Sequence, residues 1–164
     1  MTTYKNNRMG GSSLDNINKF TINTKHFGQI EIDNDDVINF KDGILGIENY
    51  SKYTLVNMPN NEKVVCLQSI EEESIAFLLI KPWDFFPDYD IDISDDELSK
   101  IKCHEIEQIA VFNIITLTDD ISKTTANLLA PVIINIRDKE AMQIIVNEDQ
   151  YKTKHFVFNQ EGDK

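Results

Sequence analysis

Beyond residue 19 the chain alternates between short apolar runs and short polar segments rich in asparagine, aspartate and lysine. Runs of this length with many β-branched and aromatic residues are typical of β-strands. We predict strands at 20–24, 29–32, 37–40, 53–57, 64–69, 75–80, 109–117, 128–136 and 142–146. Many short strands separated by frequent turns favour a mostly β fold, either an antiparallel sandwich or a small barrel.

Two pairs of neighbouring runs predict β-hairpins. The runs 20–24 and 29–32 are separated by a short segment that ends in a glycine. The runs 128–136 and 142–146 are separated mainly by charged residues. Because antiparallel neighbours need only a short connection, we expect the two runs of each pair to lie side by side.

One segment predicts a helix instead of a strand. Ser94 is followed by Asp95, Asp96 and Glu97, which is a capping-box sequence, and the apolar Leu98 comes next. Acidic residues in the first turn also suit the helix dipole. We therefore predict one short helix over residues 95–102.

The two ends of the chain differ from this middle part. Residues 1–19 contain Gly10-Gly11-Ser12-Ser13 and several asparagines, but no apolar periodicity. Such a segment has too little apolar surface to fold, so we predict a disordered extension, and a disordered tail at 159–164 for the same reason. The folded part is expected to be one domain spanning residues 20–158.

Net charge narrows the classes of partner. Aspartate and glutamate together number 28 against 16 lysines and arginines, which gives a formal net charge of -12. Such a surface repels phosphate backbones and anionic lipids, so we expect no direct nucleic-acid binding and no membrane binding. A basic protein partner would be attracted.

The sequence also shows no signal-peptide pattern and no apolar run of membrane-spanning length, so we expect a cytoplasmic protein.

The acidic stretch 88–97 resembles the start of a calcium-binding loop, because Asp88, Asp90 and Asp92 alternate along it. In that pattern the position that requires glycine is Ile93, and the position that requires glutamate is Ser99. A solvated acidic loop that leads into the helix is the better interpretation. We expect no bound metal.

No residues show the spacing of a known catalytic motif. The histidines His26, His104 and His155 are scattered, and Cys66 and Cys103 form no C-x-x-C pair. The sequence has no G-x-S-x-G, no H-E-x-x-H and no phosphate-binding glycine loop. We expect no enzymatic activity and no cofactor. Two other classes stay open, a small hydrolase with an unmarked carboxylate pair and a β-barrel that encloses a small ligand.

Segment 83–89 combines four aromatic residues and a proline with acidic residues. It could fill a buried corner or form an exposed anchor for a partner, and the buried corner is favoured because large apolar residues are more often core. If the segment is extended, Phe85 and Phe86 face opposite sides. One should then support the core while the other contacts the partner. A second cluster, Glu71-Glu72-Glu73, predicts a solvated turn when taken alone.

Five segments, in this order, resemble the FliW family of flagellar assembly factors. The most specific are Pro82–Tyr89, similar to the family's P-x-x-F-x-P-D-Y, and the segment 125–135. The five are 40–48 (FKDGILGIE), 67–77 (LQS followed by AF), 82–89 (PWDFFPDY), 125–135 (TANLLAPVIIN) and 151–155 (YKTKH). The resemblance runs from about residue 20 to residue 155.

The resemblance implies a mostly antiparallel, barrel-like fold and two protein partners, flagellin and the translational regulator CsrA. In the family these partners compete for FliW, and free FliW holds CsrA and relieves repression of flagellin synthesis. An acidic protein docked on CsrA would oppose RNA binding through its negative electrostatic field. Under this hypothesis, cluster 71–73 or cluster 88–97 lies near the partner. The resemblance and the two clusters together give the following candidate protein-binding residues: Glu71, Glu72, Glu73, Phe85, Phe86, Pro87, Asp88, Tyr89, Asn127, Leu128, Pro131, Asn135, Tyr151 and His155.

Overall fold

The computed structural model describes residues 18–147 and 149–158. Every predicted strand has a counterpart within these residues, and the mostly β fold with one short helix is confirmed. The strands are β1 (Lys19–Thr24), β2 (Gly28–Asp33), β3 (Ile38–Phe40), β4 (Lys52–Asn57), β5 (Val64–Ser69), β6 (Ala76–Ile80), β7 (Ile109–Thr116), β8 (Thr125–Ala126), β9 (Val132–Asn135), β10 (Glu140–Gln143) and β11 (His155–Phe156). The helix is α1 (Asp95–Lys100).

Seven of these strands close into a barrel. They follow the order β7, β6, β5, β4, β3, β10, β9, and β9 pairs again with β7 to close the ring. The neighbours pair in antiparallel fashion, as predicted, except that β10 runs parallel to β3. A closed ring of seven strands cannot alternate in direction throughout, so one neighbouring pair must be parallel. The β9–β10 hairpin, which was predicted, places β10 beside β3 as that pair.

Along the edge opposite β6, strand β7 has two different partners. Residues 109–112 pair with β9, whereas Ile115 and Thr116 pair with β8, and β8 carries β11 on its other side. The predicted strand 128–136 is therefore too long, since only Val132–Asn135 is strand. Pro131 immediately precedes it and has no backbone N–H for a ladder, and the amides just before it bond elsewhere. The residues between β8 and β9 bulge away from β7.

Apolar side chains fill the interior of the barrel. Phe40 and Tyr53 are fully buried, and their ring centroids lie 5.2 Å apart. Leu67 and Leu79, also fully buried, and Phe112 pack into the same cluster. A barrel that binds a small ligand needs an enclosed cavity at this place. The filled interior does not favour that alternative.

The hairpin β1–β2 lies outside the barrel as a separate two-stranded sheet. It is attached through Gln68, a fully buried residue of β5 whose Oε1 accepts a hydrogen bond from the Lys25 amide at 3.0 Å. The Asn18 carbonyl accepts from the Asn34 amide, and Lys19 begins β1. The fold therefore begins slightly before residue 20, while the rest of the predicted N-terminal extension and the tail 159–164 lie outside the described residues.

Helix α1 begins with the predicted capping box. The Ser94 hydroxyl accepts from the Glu97 amide, and the Glu97 carboxylate accepts from the Ser94 amide. The helix ends two residues earlier than predicted because Lys102 adopts a φ of 57°, outside the helical region. The amides of Lys102 and Cys103 then donate to the carbonyls of Ser99 and Leu98, which is a Schellman motif. No helix among the described residues is long and apolar enough to cross a membrane.

Candidate protein-binding surface

Tyr89 holds the aromatic segment against the barrel. Its side chain is only 4% exposed, and its hydroxyl donates a hydrogen bond to the Leu128 carbonyl oxygen at 2.7 Å. The indole N–H of Trp83 donates to the Tyr89 carbonyl oxygen at 2.9 Å. Burial raises the pKa of Tyr89 to about 12, so the hydroxyl remains a donor near neutral pH. The buried-corner interpretation is thus correct for Tyr89, although Trp83 is 47% exposed.

The backbone of this segment is turned rather than extended. Pro82 starts a 3-10 turn, and its carbonyl accepts from the amides of both Phe85 and Phe86. The Tyr89 amide then donates to the Phe86 carbonyl. The predicted division of Phe85 and Phe86 between core and surface required extended backbone, and that condition is not met. Both phenylalanines are half-buried.

Residues 127–131, which we call the bulge, form the second part of the site. The Asn127 amide still donates to the Ile114 carbonyl of β7. Beyond it, the polar groups of the bulge bond to side chains, to the backbone of residues 144–146 and to the C-terminal segment. The Nδ2 of the buried Asn113 donates to the Asn127 carbonyl at 2.8 Å. The amides of Leu128 and Leu129 both donate to the Lys152 carbonyl at 3.2 Å.

The C-terminal turn is the third part. The Lys152 amide donates to His155 Nε2 at 2.8 Å, which places the proton of the neutral imidazole on Nδ1. Burial, and then the charge of Lys152, lower the pKa of His155, so the accepting neutral form is favoured. The Tyr151 hydroxyl accepts from the Asp90 amide at 2.8 Å, and the Tyr151 ring lies 4.7 Å from that of Tyr89.

These three parts line an open depression of 360 Å³, which we call the aromatic pocket. It gathers predicted residues that are far apart in sequence: Phe85, Phe86, Pro87, Asp88, Tyr89, Leu128, Tyr151 and His155. Gln150 completes the lining and was not predicted, since its position before Tyr151 is the only signal in the sequence. The predicted aromatic segment and the predicted C-terminal motif therefore meet.

The three glutamates of the other cluster do not line the pocket. They lie in the turn between β5 and β6, where the Glu71 carboxylate accepts from the amides of Ser51 and Lys52 at 2.8 and 2.7 Å. The Glu72 carboxylate accepts from the amide and hydroxyl of Ser74, which lowers the pKa of Glu72. This turn is more than a solvated loop, because its carboxylates hold neighbouring backbone.

The remaining predicted residues support the fold through hydrogen bonds and burial. Asn127 Oδ1 accepts from the Ala130 amide and so shapes the bulge, and Pro131 is buried at its end. Asn135 is fully buried. Its Nδ2 donates to the Ile101 carbonyl at 2.8 Å, and its Oδ1 accepts backbone amides in the β9–β10 hairpin. None of these three side chains belongs to the pocket lining.

A second depression, of 440 Å³, was missed by the sequence analysis, and we call it the apolar groove. Leu117 and Ile121 lie along it and are 53% and 66% exposed. Phe85 lines both depressions and packs edge-on against Phe158, with ring centroids 6.1 Å apart. Two exposed apolar residues close to Asp119 and Asp120 were the signal available in the sequence. Leu117 had instead been assigned to a strand.

Among the described residues, Asp88 provides the single carboxylate that lines the aromatic pocket, and this limits the chemistry of the pocket. A hydrolase that works with two acids needs a convergent pair, so the pocket does not favour that alternative. Among the described residues no three histidine, cysteine, aspartate or glutamate side chains are grouped in a way that could hold a metal ion.

Comparisons with a family model, with known sequences and with a solved structure all point to the same family. A family model described as FliW protein matches residues 21–157. A flagellar assembly factor FliW from Clostridium botulinum (strain 657 / Type Ba4) is 39% identical over 141 residues, covering 86% of this chain and 99% of the relative. The same-named protein of Alkaliphilus metalliredigens is 35% identical over 85% of this chain and 86% of its own length. A crystal structure of the flagellar assembly factor FliW superposes with a TM-score of 0.81 at 34% identity, covering 87% of this chain and 99% of that one.

Proposed function

The chain belongs to the FliW family of flagellar assembly factors, and we propose that it acts by binding two proteins, flagellin and the translational regulator CsrA. In this proposal the protein holds CsrA when it is free of flagellin, and so relieves repression of flagellin synthesis. Its relatives are named as assembly factors rather than as enzymes, which supports a binding role.

The observation that carries this proposal is the convergence of two family-like segments on one open surface. Pro82–Tyr89 and Tyr151–His155 are about sixty residues apart in the chain, yet both line the aromatic pocket. Half-buried aromatic side chains at an open depression are typical of protein-binding hot spots. The proposal therefore places a partner contact at the aromatic pocket.

Charge supports a basic partner such as an RNA-binding protein. The formal net charge is -12, and proteins that bind RNA carry basic surface where the phosphates lie. Of the two acidic clusters, 88–97 adjoins the aromatic pocket through Asp88, whereas 71–73 does not reach it. We therefore expect the 88–97 cluster to guide CsrA.

The first test is direct binding. Flagellin and CsrA from the same organism are titrated separately against this protein in a calorimeter, and CsrA is also titrated in the presence of its RNA. We expect both proteins to bind, and we expect this protein to release RNA from CsrA. If neither protein binds at micromolar concentrations, the proposed function is wrong.

The second test locates the contact. Phe86→Ala removes a half-buried ring from the aromatic pocket. We expect it to weaken binding of at least one partner by about tenfold, as for a hot spot. Ile106→Ala is the matched control, because Ile106 is 61% exposed and lines neither depression. Melting temperatures verify that both variants fold. Equal effects of the two substitutions would remove the aromatic pocket from the contact.

The third test addresses guidance by charge. Association with CsrA is followed by stopped flow across a salt series, for the wild type and for variants with either acidic cluster neutralised. Because exposed charges act over about 8 Å at physiological salt, we expect added salt to slow association. Neutralising cluster 88–97 should slow it more than neutralising cluster 71–73. A rate that ignores both salt and clusters would exclude electrostatic guidance.

A further inference from the structure

The aromatic pocket has walls suited to a positive charge. The rings of Phe86 and His155 lie 6.3 Å apart at 78°, and those of His155 and Tyr151 lie 6.3 Å apart at 70°. These three rings follow one another along the wall of a 360 Å³ depression. The faces of aromatic rings carry negative potential and attract cations within about 6 Å.

The charges at the pocket favour the same kind of ligand. Among the described residues that line the pocket, the exposed Asp88 carries the only carboxylate, and none is a lysine or an arginine. His155 is held in its neutral form, because its Nε2 accepts the Lys152 amide. The nearest lysines in sequence, Lys152 and Lys154, are exposed and lie outside the lining.

We propose that the aromatic pocket binds a basic side chain, an arginine, presented by a protein partner. The planar guanidinium stacks on the rings while its N–H groups donate to the Asp88 carboxylate. The inference rests on the proposed function only in taking the ligand to be part of a protein. It adds the chemical group that the partner must supply.

The same chemistry already occurs at the Phe85 ring. The Lys63 ammonium lies 5.6 Å from the centroid of the Phe85 ring, within the range of a cation–π contact. Lys63 lines the apolar groove and not the aromatic pocket, so it leaves the pocket available to an external cation.

Other ligands fit the pocket less well. An apolar side chain would cover the Asp88 carboxylate without giving it a hydrogen bond, and burial of an unpaired charge is costly. A phosphate or carboxylate ligand would be repelled by Asp88 and by the net charge of -12. An aromatic-walled depression with one acid therefore selects a cation.

The experiment uses N-acetyl-arginine methylamide as the probe and the whole protein as the target. Ring and methyl resonances of the pocket are followed by NMR during titration to millimolar probe. N-acetyl-citrulline methylamide is the matched control ligand, because it has nearly the same shape and no charge. We expect saturable shifts of the His155 and Tyr151 resonances with arginine, and affinity at least about threefold weaker for citrulline.

Two variants separate the charge from the rings. Asp88→Asn should weaken arginine binding about twofold to fivefold, as for an exposed ion pair, and Phe86→Leu should weaken it to a similar extent by removing a π face while keeping apolar volume. Asp84→Asn is the matched control, since Asp84 is also exposed but does not line the pocket. It should leave the affinity unchanged.

Several results would overturn the inference: no saturable shift, equal shifts from arginine and citrulline, or an affinity indifferent to both Asp88→Asn and Phe86→Leu. The probe contains neither flagellin nor CsrA. A positive result with the probe and no binding of those two proteins would refute the proposed partners and leave the arginine site standing. The reverse pattern would refute only the arginine site.

Discussion

Two buried tyrosines show how differently the barrel and the aromatic pocket are built. Tyr53 is fully buried in the barrel interior, and Tyr89 is 4% exposed beneath the pocket. Burial raises the pKa of each to about 12. The Tyr89 hydroxyl donates to the Leu128 carbonyl, whereas the Tyr53 hydroxyl has no hydrogen-bond partner among the described residues.

The difference reflects what each region needs. In the barrel, strand pairing already satisfies the backbone, so side chains contribute mainly apolar contact and Tyr53 serves as a large ring. At the pocket, the bulge has left the strand ladder, and side chains such as Tyr89 and Asn113 must bond its carbonyls. The barrel is thus stabilised by burial and the pocket by individual hydrogen bonds.

The largest expected effect tests the barrel half of this comparison. Phe40→Ala deletes a fully buried ring and should lower the free energy of unfolding by about 3–5 kcal/mol. Urea denaturation measures the change. Phe156→Ala is the control, because Phe156 is 50% exposed and its loss should cost less than about 0.5 kcal/mol. Similar costs for the two variants would show that ring burial does not dominate the stability of the barrel.

The next effect compares the two tyrosines directly. Tyr89→Phe leaves the buried Leu128 carbonyl without its donor and should cost about 1–3 kcal/mol. Tyr53→Phe removes a hydroxyl that has no partner among the described residues, so it should cost nothing or stabilise the protein. Both are measured by urea denaturation under the same conditions. An equal loss in both variants would contradict the distinction between the regions.

The same distinction explains what could be predicted from the sequence. Strands β5 and β6 were predicted to within one residue, because their apolar runs are long and the turn between them is marked by acidic residues. The parallel pairing of β10 with β3 was not predicted, since neither strand carries a local signal for a partner more than ninety residues away. The end of α1 was missed because it depends on the left-handed backbone of Lys102, a residue type that does not favour it.

The candidate site, too, could be predicted only in part from the sequence. The aromatic segment and the C-terminal motif were identified, but their meeting at one pocket depends on bonds such as Lys152 to Leu128, which join distant segments. Asn135 was included among the candidates although it is fully buried, because a polar residue that bonds backbone looks the same in sequence as one that contacts a partner. Gln150 had no sequence signal of its own.

A smaller effect tests a single bond at the rim of the pocket. Tyr151→Phe removes the acceptor of the Asp90 amide, and because Asp90 is exposed, water can replace part of the bond. We expect a loss of about 0.5–1.5 kcal/mol and faster hydrogen exchange at the Asp90 amide. The Lys25 amide, which donates to Gln68 in the attachment of the hairpin, should exchange as before. Unchanged exchange at Asp90 would mean that the bond does not hold the rim.

The smallest expected effect is a pH dependence at His155, which is only half-buried. Burial and the charge of Lys152 lower its pKa in the folded protein below the value of about 6.5 in an unfolded chain. As the pH falls below about 6.5, the unfolded chain therefore takes up the proton first, and the free energy of unfolding should decrease until the pH passes the folded pKa.

His155→Gln provides a side chain that accepts hydrogen bonds and does not titrate, so it should lack this part of the pH dependence. The difference in unfolding free energy between wild type and variant, measured by urea denaturation across this range, cancels the other titrating groups. It should shift against the wild type as the pH falls. A constant difference would show that the bond from Lys152 to His155 does not depend on a neutral imidazole.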